Sequence, residues 1–343
     1  MSNLSVFILV LNWNGWKDTT ECLESIQRLN YTNYSVMVID NGSTDFSMAR
    51  IKDWATGKLS VKSTFFAYDP TIKPVTWIEY DRATAEVGGI QEQEAKIAAL
   101  PANRKVILIQ NGENLGFAGG NNVGIRYALK RGADYVWLLN NDTVVDRETL
   151  SKMVDLAETR ADVGVVGSKL LCYNKQGVIQ AAGGGKVWPW LGVARHYGEQ
   201  EDDMGQWNKV IEPDYVAGAS LLSKRAAIVD TGLIEENYFL YWEDTDWCGR
   251  AKRKGWRLLY CPSSLVWHKE NNTTGYKSPV VEYYALRNSL FYVRQFYAIY
   301  LPSAFLVQLL KLPKRIIRGQ FANAKAVVEG YTDFLRRRRG PYR

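Results

Sequence analysis

The 343-residue sequence is poor in cysteine and histidine, and it lacks the long apolar run of a membrane-spanning helix. The cysteines are Cys22, Cys172, Cys248 and Cys261. They form no CxxC pair and no zinc-ligand spacing, which excludes a disulfide scaffold and predicts reduced thiols in the cytoplasm. The longest apolar stretch, 296–312, contains Pro302, Gln308 and Lys311. It therefore falls short of the ~20 uninterrupted apolar residues that a span requires.

The composition is that of a folded protein with a basic end. Hydrophobic residues make up 46% of the chain and charged residues 23%, which excludes disorder as the main description. The net charge is +7, and residues 311–343 carry ten Lys or Arg against Glu329 and Asp333. The whole positive excess therefore lies in this tail. We expect no nucleic-acid partner, since that would require basic residues along an aromatic-bearing groove.

Apolar runs typical of buried strands alternate with segments of helical periodicity. The predicted strands are 6–11, 36–39, 106–109 and 135–139, and the predicted helices are 19–29 and 121–130. Continuous apolar strands separated by helices indicate a mostly parallel sheet with helices on both faces. The sequence therefore predicts an α/β, Rossmann-like fold.

Polar residues follow each predicted strand, at 12–15, 40–43, 111–114 and 140–142. In open α/β sheets, ligands bind beyond the carboxyl ends of the strands. We therefore expect a ligand site there.

Two of these strand ends carry candidate ligand-binding groups. In the segment 114–122, glycines precede a helix, which lets the backbone approach a phosphate group but also fits a tight turn. The spacing is not that of a GxGxxG fingerprint. Asp142 fits either a hard-oxygen ligand for Mg²⁺ or Mn²⁺, or a turn residue.

Glu243, Asp244 and Asp246 bring three carboxyl groups together in an aromatic setting. Repulsion and desolvation raise the pKa of such a group toward that of a general base. The same acids also suit a helix N-terminus. His268 ends another apolar run, and a single histidine there fits a structural role as well as a ligand role.

Taken in order, these motifs resemble those of the family 2 glycosyltransferases with the GT-A fold, in particular the rhamnosyltransferase-like branch. The matching stretches are LNWNG (11–15), VIDNGSTD (38–45), ENLGFAGGNNVG (113–124), LLNNDT (138–143), AGASLLSKR (217–225), FLYWEDTDWCGRAKRKGW (239–256) and VWH (266–268). They extend over about residues 4–295. Each motif alone is weak evidence, whereas the ordered series is specific.

The resemblance implies a nucleotide-sugar site at the strand ends. Asp40 matches the acid that hydrogen-bonds the nucleotide base, and Asn12 and Asn14 line the same wall. The residues that match the loop holding the ribose and diphosphate are Asn114, Gly119 and Asn121. Further amides expected in this site are Asn41, Asn140 and Asn141.

The resemblance also implies a divalent metal, Mg²⁺ or Mn²⁺. Asp142 matches the last acid of a DxD motif, and His268 matches a histidine that completes the metal shell in several members. Asn140 stands where the stricter motif has Asp, so this chain offers the metal one carboxylate fewer.

Asp244 matches the catalytic base of the family's Glu-Asp pair, with Glu243 as its partner. Trp242, Asp246 and Arg250 are expected to support it on the acceptor side. The implied reaction is an inverting, in-line transfer from a nucleotide-diphosphate sugar to a hydroxyl of a glycan or lipid-linked acceptor. The branch favours dTDP-rhamnose as donor, and UDP-sugars stay open.

We divide the chain into a catalytic domain, 1–282, with an insertion at about 57–105, and a helical tail, 283–343. The apolar residues that form a stripe in the tail are Phe291, Phe296, Tyr300, Phe305, Leu309 and Leu310. With its basic residues, the tail fits two arrangements: binding to the inner face of the cell membrane, or packing on the core as a helical cap.

Two other functions fit parts of the sequence. A Rossmann oxidoreductase would use the glycines at 116–124 but leaves Glu243 and Asp244 without a role. A non-catalytic module that binds nucleotide sugars or polyanions fits the basic tail, but it needs neither the acid pair nor His268.

Overall fold

The computed structural model describes residues 4–269 and 278–342, and this part of the chain contains thirteen strands and twelve α-helices. In chain order they are β1 (Val6–Asn12), α1 (Trp16–Ile26), β2 (Tyr34–Asp40), α2 (Ser47–Ala55), β3 (Thr76–Asp81), α3 (Arg82–Glu86), α4 (Gln91–Ala98), β4 (Lys105–Gln110), α5 (Gly116–Lys130), β5 (Tyr135–Asn140), β6 (Thr143–Val145), α6 (Thr149–Ala157), β7 (Val163–Cys172), β8 (Ile179–Ala182), β9 (Gly184–Trp188), β10 (Val193–His196), β11 (Tyr215–Val216), β12 (Ser220–Lys224), α7 (Arg225–Thr231), α8 (Glu243–Arg253), β13 (Arg257–His268), α9 (Pro279–Phe296), α10 (Leu301–Leu309), α11 (Lys311–Ile317) and α12 (Phe321–Leu335).

Ten of the described strands form one sheet, in the order β3-β4-β2-β1-β5-β12-β7-β13-β6, with β8 also paired to β7. The strands from β3 to β5 are mutually parallel, whereas β12 runs antiparallel to both of its neighbours. Alternate residues of β1 face opposite layers: Leu9 packs with Val123 of α5, and Ile8 packs with Ile26 of α1. The predicted α/β fold, a mostly parallel sheet with helices on both faces, is confirmed.

Helix α5 begins five residues earlier than predicted, so the glycines expected in a loop lie inside the helix. A Cβ atom on Gly120 would lie 2.5 Å from the side chain of Leu11, and one on Gly124 would lie 2.5 Å from that of Ile39. These two glycines therefore allow α5 to approach the sheet closely. The sequence analysis interpreted these glycines as a phosphate-binding loop or a tight turn, and neither interpretation included this packing role.

The segment between β2 and β4 adds an edge strand to the sheet, because β3 pairs in parallel with β4. A buried ion pair connects this segment to α1. Lys73 Nζ lies 2.6 Å from Glu24 Oε1, and the two side chains are 4% and 0% exposed. The same carboxylate accepts a hydrogen bond from Trp54 Nε1 and pairs with Arg28.

The helical tail packs on the sheet domain along one face only. Phe291 is buried in the main core, and Phe296 and Phe305 are half-buried against it. Leu309 and Leu310 of the predicted stripe are exposed. In the part of the chain that the structure describes, no helix is both long and apolar enough to cross a bilayer.

We expect Lys73→Met to lower the free energy of unfolding by about 3 kcal/mol, because it strips a buried carboxylate of its nearest cation. Urea denaturation measures this change. Lys52→Met is the matched control, since the Lys52–Glu79 pair is partly exposed and its loss should cost less than about 1 kcal/mol. Equal effects of the two substitutions would contradict the role given to the buried pair.

Candidate active site

The carboxyl ends of the central parallel strands bring the predicted nucleotide-binding residues to one edge. The register pairs Asn12 with Asp40, Leu11 with Asn140, and Asp40 with Gln110. Side chains far apart in sequence therefore meet at this edge of the sheet.

Asp40 is held rigidly at this edge. Asn12 Nδ2 donates to its Oδ1 at 2.8 Å, and the backbone N of Ser43 donates to its Oδ2 at 3.0 Å. Asn14 is exposed, in the left-handed region with φ 51°, and its Oδ1 accepts from the backbone N of Thr44. Ser43 Oγ accepts from both Asn12 Nδ2 and the backbone N of Asn14. Ser43 lies in the matched motif but was not singled out from the sequence.

Asn41 fixes the loop before α5 beside β2. Its Nδ2 donates to Asn114 Oδ1 at 2.9 Å and to the carbonyl of Gly116 at 3.1 Å. Its Oδ1 accepts from Asn111 Nδ2 and from the backbone N of Leu115. The amides of Asn41 and Asn114 thus shape this loop.

The N-terminus of α5 does not offer its first N–H groups to a diphosphate. The backbone N of Leu115 donates to Asn41, that of Gly116 donates to Asn114, and that of Phe117 donates to the carbonyl of Phe239. Asn121, predicted to hold the donor, is buried in the helix and donates to the carbonyl of Phe117. Gly119 lies one turn into the helix.

Asp142 and His268 are brought together by the pairing of β6 with β13. The register places His268 opposite Thr143, and its Nε2 lies 3.0 Å from Asp142 Oδ1. Gln180 Oε1 lies 2.8 Å from His268 Nδ1. Because an amide oxygen only accepts, this contact puts the ring proton on Nδ1 and leaves the Nε2 lone pair toward Asp142.

These residues fit a divalent cation. Two atoms with lone pairs at this distance need a proton or a metal ion to hold them together. Neighbouring ligands of an octahedral ion, with bonds of about 2.1 Å, are separated by about 3.0 Å. Without a cation, a proton on His268 Nε2 would take its place: burial would raise the pKa of Asp142, but the charge of the protonated ring and its hydrogen bond outweigh burial and lower that pKa. Among the described residues, no group of three or more His, Cys, Asp or Glu could hold a metal ion, so substrate phosphates and water would complete the shell.

The two asparagines before Asp142 point to different neighbours. Asn140 Nδ2 lies 3.3 Å from His268 Nε2, on the metal side. Asn141 Nδ2 instead donates to Thr19 Oγ1, in the first turn of α1, at 3.0 Å. Asn141 therefore fixes the β1–α1 connection.

The three acids of the cluster are divided by burial. Glu243 is 5% exposed, and its Oε2 has no hydrogen-bond partner within the described residues. Desolvation, and then the charge of Asp244, raises the pKa of Glu243 well above its ordinary value. Glu243 is therefore shielded from an acceptor and keeps its proton to a higher pH than an ordinary carboxyl group.

Asp244 is half-buried and held by three donors. Gly218 N donates to its Oδ2 at 3.0 Å, and the backbone N and Oγ1 of Thr245 contact its Oδ1 at 2.6 and 3.1 Å. Next along the chain from Gly218, the carbonyl of Ala219 accepts from the backbone N of Asn140. Two adjacent residues thus connect Asp244 with the strand end that carries Asp142.

The predicted supporting residues lie behind Asp244. Asp246 is fully buried and accepts from Arg250 Nε, Tyr238 OH and Gln295 Nε2. Desolvation raises the pKa of Asp246, partly offset by Arg250. The ring of Trp242 packs into the core, with its centroid 5.1 Å from that of Tyr292.

Sequence reasoning missed the residues that shape the loop before α8. In this loop Phe239, Tyr241 and Trp242 all have positive φ angles, of 65°, 63° and 74°. Asn288 of α9 is completely buried, and its Nδ2 lies 2.8 to 3.0 Å from three loop carbonyls, those of residues 238, 240 and 241. The Tyr-Tyr-Ala-Leu-Arg-Asn stretch at the start of the tail was the signal available in the sequence.

The fold and this strand-end site define a GT-A glycosyltransferase. The model of "Glycosyltransferase like family 2" matches residues 87–280, more than half of the chain, and that of "Glycosyl transferase family 2" matches residues 5–66. The chain belongs to the family 2 glycosyltransferases. Family membership decides against the Rossmann oxidoreductase.

Two curated relatives are each about a quarter identical to this chain over the part that aligns. A low-salt glycan biosynthesis hexosyltransferase of Haloferax volcanii is 24% identical over 52% of this chain and 57% of its own length. A dTDP-rhamnosyl transferase of Shigella flexneri is 22% identical over 56% of this chain and 64% of its own length. The chain thus spans less than two thirds of each of these relatives.

Solved structures support the fold. The mannosyltransferase PcManGT from Pyrobaculum calidifontis, in complex with GDP-Man and Mn²⁺, aligns with a TM-score of 0.52 at 14% identity, covering 96% of this chain and 86% of its own. TarS of S. aureus, in complex with UDP-GlcNAc, also gives 0.52 at 14% identity, covering 95% of this chain and 81% of its own.

We expect Gln180→Met to weaken Mn²⁺ binding about tenfold or more, because His268 loses the acceptor that fixes its tautomer and orientation. Calorimetry with Mn²⁺ in the presence of a nucleoside diphosphate measures this affinity. Gln206→Met, at an exposed glutamine, is the control. An unchanged affinity in Gln180→Met would count against His268 as a ligand.

We also expect Glu243→Gln to stabilise the protein increasingly as the pH rises. A carboxyl group whose pKa is raised by folding stabilises the folded state below its unfolded pKa, and this contribution is lost as the pH rises. For Glu243 the loss begins near 4.5, its ordinary value. Melting temperatures of the two proteins should converge at acid pH and diverge toward neutral pH. Parallel curves would show that Glu243 does not titrate as the structure indicates.

Proposed function

We propose that this protein transfers a sugar, with inversion, from a nucleotide-diphosphate donor to an acceptor hydroxyl, and that Asp244 is the general base. The observation that carries this proposal is the connection through Gly218 and Ala219. It links the carboxylate of Asp244 to the strand end bearing Asp142 and His268. A base and a site for diphosphate charge on one edge are what an in-line displacement requires.

Each residue has one task in the proposed mechanism. Asp244 accepts the proton of the acceptor hydroxyl as that oxygen attacks the anomeric carbon. Gly218 and Thr245 hold the carboxylate in a fixed orientation through their donors. Glu243 is buried away from solvent, so it serves neither as a second base nor as a covalent nucleophile, which favours inversion.

Asp142 and His268 would hold the divalent cation, Mg²⁺ or Mn²⁺. When bound, it supplies positive charge to the departing nucleoside diphosphate. The first N–H groups of α5 are already paired within the protein. The cation that Asp142 and His268 would hold therefore has the larger share in binding the diphosphate.

We propose dTDP-rhamnose as the donor, with UDP-sugars as the alternative. The Shigella relative is named as a dTDP-rhamnosyl transferase. A second relative, from Mycobacterium tuberculosis, is named as an N-acetylglucosaminyl-diphospho-decaprenol L-rhamnosyltransferase and is 38% identical over 18% of this chain and 20% of its own length. That second name supports a glycan or lipid-linked acceptor for this chain too. Such an acceptor would place the protein on the cytoplasmic face of the membrane.

We expect Asp244→Asn to lower the rate of transfer by about 10²- to 10⁴-fold, the usual contribution of a general base. Donor binding, measured by calorimetry, should stay nearly unchanged, because the amide keeps the shape of the carboxylate. Glu243→Gln is the control, since an amide mimics the neutral carboxyl group, and it should keep most of the activity.

The assignment of the base is wrong if Asp244→Asn turns over as the wild type does. Screening nucleotide sugars for hydrolysis and transfer decides between an enzyme and a binding module. A wild-type protein that binds a donor tightly but neither hydrolyses nor transfers it would favour the non-catalytic module.

A further inference from the structure

The outer surface of the tail carries most of the large apolar side chains that the described chain leaves exposed. Eleven of twenty such residues fall between 297 and 335. Two of them, Ile299 and Ile317, are each 85% exposed. A soluble surface rarely gathers apolar groups so closely unless they meet a partner.

Helix α10 has one face that is buried against the protein and another, apolar face that is exposed. Ala304 and Gln308, four residues apart, are buried and therefore mark the inner face. Leu306, Leu309 and Leu310 fall between and after these positions and are exposed. The exposed leucines are thus not needed for packing against the core, because Ala304 and Gln308 already occupy the core-facing positions.

Helix α12 adds an exposed apolar strip beside its buried face. Phe321, Val328 and Leu335 are exposed and recur every seven residues, so they lie along one strip of the helix. Ala324 and Tyr331, three or four positions from these residues, are buried, as are Val327 and Phe334. Residues at those spacings are neighbours on a helix, so the strip borders the covered face and belongs to the outer side of α12 that is left open.

A second segment of the chain adds an aromatic residue beside α10. Gln308 Nε2 donates to the carbonyls of Leu191 and Gly192, each at 2.8 Å. This fixes the 189–192 turn against α10, and Trp190 in that turn is 50% exposed. Exposed tryptophan is typical of surfaces that meet the polar–apolar boundary of a bilayer.

Basic residues are interleaved with this apolar surface. The exposed ones are Lys314, Arg318, Lys325 and Arg336 to Arg339. Both acids of residues 311–343 are partnered by bases: Glu329 pairs with Lys325, and Asp333 pairs with Arg338. A second copy of this surface would bring like charges together, whereas an anionic surface complements them.

We propose that α10, α11, the outer side of α12 and Trp190 form a surface that docks on an anionic lipid bilayer. This lipid-docking surface gives the membrane location proposed above a physical basis, and it rests on the proposed function only for the choice of leaflet. The apolar side chains enter the headgroup region and the basic side chains bind anionic headgroups. Binding is therefore peripheral and depends on both lipid charge and salt.

Vesicle flotation of the full chain tests this proposal. We expect the wild type to float with phosphatidylcholine vesicles that contain phosphatidylglycerol, and less at high salt or with phosphatidylcholine alone. The double variant Leu306→Glu, Leu310→Glu should stay at the bottom. Lys314→Glu with Arg318→Glu should weaken binding to the anionic vesicles by at least about tenfold. Met204→Glu, at an 85% exposed residue outside the tail, should float as the wild type does.

The proposal is overturned if the wild type does not float with anionic vesicles, or if the leucine double variant floats equally well. It is also overturned if light scattering finds a dimer that this variant converts to monomer, because the surface would then cover a second copy. Donor hydrolysis without vesicles should be the same in all these variants and reports on the active site alone. Failure of hydrolysis would count against the transferase, and failure of flotation against the docking surface.

Discussion

The end of α8 that carries Asp244 depends on hydrogen bonds that cross from the tail. The loop before α8 contains non-glycine residues in the left-handed region, and each such residue costs on the order of 1 kcal/mol or more. Asn288 compensates by donating to the carbonyls of this loop, and the buried guanidinium of Arg287 adds a bond to the carbonyl of Tyr238 and another to that of Gly340. The tail therefore supports the candidate active site, because α9 holds the loop that leads into Asp244.

Burial assigns different chemistry to neighbouring carboxyl groups. Glu243 and Asp246 are both removed from water, and their pKa values rise for that reason. Asp246 then becomes the centre of a network with Arg250 and Gln295 that ties α8 to α9. Asp244, on the open side of the helix, is the carboxylate left for an acceptor. A single turn of helix thus contains a structural acid, a buried acid with a raised pKa and a candidate base.

The donor side is built from amides more than from charges. Asn12, Asn41 and Asn114 use their side chains to hold one another and the strand-end loops in place. The region before residue 311 has nearly balanced charges, because the basic excess lies in the tail. Asp142 and His268 concentrate the recognition of negative charge at one point, through the cation they would bind. Gln180 holds the histidine from behind, and its importance could not be seen in a pattern of residues near His268, since 88 positions separate them.

The sequence by itself determined the order of the strands along the chain, the edge where polar residues collect, and the family. Short continuous apolar runs bounded by polar residues form buried strands. The position where each strand ends can therefore be read directly from the sequence. Only the tertiary structure decided that the glycines of α5 serve helix–sheet packing, that burial raises the pKa of Glu243, and that Asn288 holds the loop before α8. It also decided which face of the tail is covered, because Phe291 and Leu310 look alike in a helical pattern and differ only in what lies against them. Burial depends on partners that are distant in sequence, and the local periodicity of a helix does not predict which residues those are.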